Sequence, residues 1–190
     1  MDILTSIHGR RMGLGPADEL LLSGKAIYLD NNGTPVPVAR VGTDKYIAAG
    51  ASKILTRADA GRVIKLDTLA GSVVTLPAAV GSGAKFRALV AVLATSASHK
   101  IQVANAQDFM IGLILGSRVD SGNAVLGFAA ANSGTVATNS DTITLNRSTT
   151  GSVTVGEYVD LEDVAANTWQ VSGLLSATGA AFATPFSAAV

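Results

Sequence analysis

Cysteine is missing altogether, which excludes disulfide frameworks, thiolate zinc sites and thiol nucleophiles. Surplus charge is missing too. Fourteen Lys and Arg balance fourteen Asp and Glu, and charged residues make up only 15% of the 190-residue chain. A sleeve around nucleic acid and a binder of anionic membranes both depend on excess Lys and Arg, so neither is expected. Aromatic residues are scarce at 5%, and Trp169 is the sole tryptophan. The longest apolar runs, Ala88–Ala94 and Phe109–Leu115, fall far short of the about 20 residues a membrane-spanning helix needs. The start of the chain lacks the charged-then-apolar layout of a secretory leader, so no export signal is expected.

Apolar residues are plentiful, at 48%, which removes the chain from the disordered class. Small residues dominate, with 31 Ala, 20 Gly, 17 Thr and 16 Ser. Such a chain buries Val, Ile, Leu and Ala between short elements joined by Gly/Ser/Thr turns. That favours an all-β sandwich over an enzyme with a large aromatic-lined pocket.

Residues 1–50 read as an N-terminal arm with a hairpin, and 51–190 as a β-sandwich domain with a C-terminal tail. In the arm, Ile3 and Ile7 share a helical face, but Gly9 ends any helix after about two turns. A piece that short is not a stable helix by itself and is expected to become ordered by packing on something else. Asn32-Gly33 is a strong hairpin signal. The returning segment holds Pro35 and Pro37, which restrict it to an edge strand or an extended arm. From Ala51 onward, period-two alternation marks eight or nine strands, among them Arg62–Asp67, Ser72–Leu76, Thr142–Leu145 and Thr168–Val171. Lys85–Leu93 is a nearly continuous apolar run suited to a central strand covered on both faces. The expected architecture is an antiparallel, jelly-roll-like sandwich. Ile64, Leu66, Leu76, Ile143, Leu145, Val159, Leu161, Trp169 and Val171 should point inward. The uncharged tail from Ser176 keeps Phe182 and Phe186, and it should pack on its own domain or on a neighbour.

Candidate chemistry is thin. His8 and His99 lie far apart in sequence, and no Gly-x-Ser-x-Gly elbow accompanies them. Asp160, Glu162 and Asp163 form the densest acidic group, but three carboxylates without a fixed loop read as a solvated strand face rather than a calcium site. Gly81-Ser82-Gly83 and Gly13-Leu14-Gly15 are incomplete phosphate loops, better read as turns. No catalytic, cofactor-binding or metal site is expected.

Leu55 to Gly173 resembles β-sandwich modules of tailed-bacteriophage structural proteins. Three pieces carry the likeness: Leu55-Thr56-Arg57-Ala58-Asp59-Ala60-Gly61-Arg62, then Val73-Val74-Thr75-Leu76-Pro77, then Gly156–Leu161 with Asn167–Gly173. The resemblance implies a non-enzymatic capsid decoration (cement) protein, commonly a homotrimer, that bridges neighbouring capsomers. Its partner would be the major capsid protein, and its place the capsid exterior of a virion assembled in the host cytoplasm. A tail- or head-fibre subunit or receptor-binding module is the alternative. Ile3, Leu4, Ile7, Arg10, Arg11, Met12, Phe182 and Phe186 are the expected assembly contacts, since the apolar residues need burial and the arginines suit carboxylates on a partner.

Overall fold

The computed structural model describes residues 45–120, 124–178 and 182–190, together with the backbone of strands at 3–5, 11–14, 20–22, 25–29 and 35–37. The chain divides into two compact units, Met1–Val41 and Gly42–Val190.

The first unit is a five-stranded sheet of β1 (Ile3–Thr5), β2 (Arg11–Leu14), β3 (Leu20–Leu22), β4 (Lys25–Leu29) and β5 (Pro35–Pro37). Its strands lie in chain order, and every pairing is antiparallel. What the sequence suggests as an arm with one hairpin is thus a meander that contains that hairpin, β4 with β5. The Ile3/Ile7 helical spacing is overridden at β1. A single isolated helical turn is marginal, whereas β1 gains a ladder that sets Leu4 opposite Met12 and Ile3 opposite Gly13. Pro35 and Pro37 lie on the outermost strand, where a missing N–H breaks no interior ladder.

The second unit is the expected all-β sandwich. A seven-stranded sheet contains β6 (Tyr46–Ala48), β8 (Val63–Leu66), β10 (Lys85–Val90), β12 (Phe109–Arg118), β13 (Val125–Ala129), β15 (Tyr158–Ala165) and β16 (Thr168–Ala177). A five-stranded sheet contains β7 (Ser52–Ile54), β9 (Val73–Thr75), β11 (His99–Gln102), β14 (Thr142–Leu145) and β17 (Phe186–Ser187). Ile47 of β6 is buried and pairs with Ile64. The stretch Tyr46–Gly50 therefore belongs to the sandwich and not to the N-terminal segment.

Strand pairing departs from the antiparallel, jelly-roll expectation, because both sheets are mixed. From β6 to β11 the chain alternates between the sheets, one strand in each. Each return lays a new strand beside its predecessor in the same direction. As a result β6, β8 and β10 run parallel in one sheet, and β7, β9 and β11 run parallel in the other. The longest pairing, β12 with β16, is also parallel and runs from Phe109↔Thr168 to Arg118↔Ala177. Antiparallel pairs β12–β13, β15–β16 and β10–β15 complete the larger sheet.

All nine residues expected to point inward are buried in one core. Trp169 is fully enclosed and packs tilted against Phe86, with ring centroids 5.9 Å apart. β10 lies inside its sheet as expected, yet only one of its faces is covered. Phe86, Ala88 and Val90 point inward, while Lys85 and Arg87 alternate outward.

Candidate functional site

The outer face of the seven-stranded sheet concentrates the polar chemistry. Alternation on β10 and β15 brings Arg87 opposite Asp160 and Lys85 opposite Glu162. The Arg87 guanidinium donates two bonds to the Asp160 carboxylate, both 2.6 Å, and lies 4.3 Å from the centre of the Tyr158 ring. The Lys85 ammonium reaches Glu162 at 3.1 Å. Gln170 and Ser172 of β16 join these residues around a shallow groove of about 360 Å³. Each charge already faces its opposite, so the groove offers a neutral polar surface, not a pre-formed site for an ion.

The acidic group is split by the same alternation. Asp160 and Glu162 face solvent as expected, whereas Asp163 is buried and turns toward the connection between β9 and β10. Its carboxylate accepts bonds from the N–H groups of Val80 (3.0 Å), Gly81 (2.7 Å) and Ser82 (3.0 Å), and from the Ser82 hydroxyl (2.6 Å). Burial alone would raise this carboxyl. The Ser82 hydroxyl and the three N–H groups outweigh it and hold the group below the ordinary carboxylate value. The row of N–H groups that looked like half a phosphate loop is therefore occupied by the chain's own anion. Among the described residues no group of three or more His, Asp or Glu is placed to hold a metal.

Two more buried carboxylates work in the same way. Glu157 accepts from the N–H groups of Ser152 (2.7 Å), Val153 (2.8 Å) and Thr154 (2.6 Å), and from the Ser176 hydroxyl. Ser152 sits at φ 66°, in the left-handed region, and Glu157 holds it there. Asp141 accepts from the N–H groups of Ala189 (2.8 Å) and Val190 (3.2 Å), which ties the end of the chain to the smaller sheet. Each carboxylate replaces the water that loop N–H groups would otherwise need.

His99 is fully buried on β11. Its Nδ1 accepts from the Ser72 N–H at 2.9 Å, and its Nε2 lies 2.8 Å from the Val92 carbonyl. An acceptor at Nδ1 and a donor at Nε2 define a neutral ring in one tautomer. Burial pushes its pKa below the ordinary histidine value, against a smaller opposing effect of the Val92 carbonyl. This is a structural histidine. His8 lies outside the described residues.

The expected assembly residues are dispersed. Ile3 and Leu4 are on β1, and Arg11 and Met12 are on the adjacent β2, with Thr5 opposite Arg11. Ile7 and Arg10 lie outside the described residues. Phe182 and Phe186 are enclosed by their own sandwich, at 9% and 8% exposure. The Phe182 ring meets Phe128 edge-on at 4.9 Å, and Phe186 pairs with Ile143 through β17. Of the two outcomes open to the tail, packing on its own domain is the one observed. Sequence reasoning missed the carboxylate anchors, because an inward Asp or Glu in an alternating strand looks like any solvated acid. Neither a protein-family profile nor a curated protein sequence matches the chain.

Proposed function

We propose that this chain is a non-enzymatic structural protein of a tailed-phage virion, decorating the capsid exterior and bridging neighbouring capsomers. The observation that carries the reading is the two-unit plan. A small sheet of its own occupies Met1–Val41, ahead of a sandwich whose loops are fastened from within by Asp163, Glu157 and Asp141. One unit can grip the major capsid protein while the other stands as a rigid body. Of the expected contact set, Ile3, Leu4, Arg11 and Met12 fall on two paired strands of the first unit. The pieces that carry the phage resemblance hold the sandwich together: Leu55, Leu76 and Trp169 are buried, and Thr56 is tied to Asp59. The resemblance also implies a three-fold association. Phe182 and Phe186 face inward, so contacts between copies must use another surface.

Co-sedimentation with empty capsids of the encoding phage tests this reading. The full chain should bind saturably, and a chain beginning at Gly42 should stay in the supernatant. Binding to host cells without binding to capsids would move the protein to the fibre alternative and overturn the decoration role.

A further inference from the structure

We propose that β13 is a self-pairing edge, through which two copies of the chain join their seven-stranded sheets into one continuous sheet about a two-fold axis. This inference goes beyond the capsid reading, does not depend on it, and concerns a two-fold contact distinct from the three-fold association that the resemblance implies. β13 ends the larger sheet, with β12 on one side and, among the described residues, no strand on the other. The free side of an edge strand presents a row of N–H and C=O groups that an extended backbone can complete. Proteins normally blunt such edges with lysine, proline or very short strands. The other edges here are blunted in these ways. β5 carries Pro35 and Pro37, β1 is only three residues long, β7 is three residues long with Lys53 at its centre, and β17 has two residues. β6 follows Lys45 and has the Lys65 ammonium 4.4 Å from the centre of its Tyr46 ring. Ala124–Ala130 has neither charge nor proline.

The occupant is a second copy because the surroundings of β13 are self-complementary. An antiparallel pairing centred on Gly127 sets Val125 opposite Ala129 and Leu126 opposite Phe128, so each face of the joined sheet stays consistent. On the outer face, Leu113, Leu115 and Leu174 are 47%, 38% and 48% exposed, and Val125 on the edge itself is 64% exposed. Leu115 stands between Gly127 and Leu174. The charged pairs Arg87–Asp160 and Lys85–Glu162 lie further in, beyond β16. A two-fold axis at β13 brings the apolar zones of both copies together and leaves the charges outside. That is the apolar centre and polar rim of a specific interface. A charged partner would find no counter-charge on this edge.

The absence of cysteine makes a single introduced thiol a clean reporter. Gly127 has no positive φ, and a Cβ there would lie 3.4 Å from Leu113 and 3.8 Å from Leu115, in ordinary contact. Directly opposed residues in an antiparallel pair have Cα atoms about 4.5–5.5 Å apart, within disulfide reach. Full-length Gly127→Cys should therefore give a covalent dimer under mild oxidation. Val125→Cys should not do so alone, but it should when mixed with Ala129→Cys. In sedimentation, Val125→Lys should weaken the wild-type dimer about tenfold or more, with an unchanged melting temperature at concentrations where both chains are monomeric, since its side chain is exposed. The proposal is overturned by a wild-type chain that stays monomeric at every concentration. A trimer in which Gly127→Cys yields no covalent product, or equal cross-linking from all three cysteines, overturns it as well.

Discussion

His99 couples the sandwich to pH. Its folded pKa lies below the unfolded value of 6.5 because the ring is enclosed, so the unfolded chain binds the extra proton first. The contribution of His99 is complete above about pH 6.5 and is lost as pH falls from there through the folded pKa. Protonation also sets an N–H at Nδ1 against the Ser72 N–H. Urea midpoints should fall between pH 6.5 and 5, above the range near 4 where ordinary carboxylates titrate. His99→Gln, if it folds, should flatten that slope, and an unchanged slope would assign the effect elsewhere. Trp169 tests the core. It is fully enclosed, and truncation to Ala should cost about 3–5 kcal/mol in equilibrium unfolding. A variant as stable as the parent would show that the ring does not fill the core.

At the scale of elements, the β12–β16 pair depends on one glycine. Gly112 adopts φ 121°, and a Cβ there would lie 2.0 Å from the backbone oxygen of Val171. Gly112→Ala should cost about 3 kcal/mol in unfolding free energy, because backbone strain and overpacking act together. Strand positions were legible in the sequence because alternation at Val63–Leu66, Thr142–Leu145 and Thr168–Val171 leaves only one pattern to fit. Strand direction was not. A turn that returns to the same sheet and a corner that crosses to the other use the same Gly, Ser and Thr chemistry. The short link from Ala48 to Ser52 gives no sign that it changes sheets. The anchors were hidden for a related reason: Asp163 follows Glu162 directly, and only the opposite orientation of their side chains separates a tethered acid from a solvated one. The open edge had a signal, the uncharged run Ala124–Ala130, but its place at the end of a sheet is a matter of topology.

For the whole molecule, the boundary at Val41 and Gly42 predicts separable folding. A chain of residues 42–190 should unfold in one cooperative thermal transition with the circular dichroism of a β protein. A truncated chain without such a transition would show that the first unit is part of the sandwich's core. Within the sandwich the order of events is constrained by distance along the chain. β12 needs β16 to complete its parallel ladder, Phe86 waits for Trp169, and the tail closes over Phe128 only once Phe182 has been made. Folding of such a long-range topology is slow compared with helical proteins, and here the core can close only after Trp169 and Phe182 have been made. A chain cut short of Trp169 lacks both the ring that packs on Phe86 and the strand that completes the β12 ladder. Closure of the sandwich thus reports that its late strands have been made, without any dedicated proofreading component.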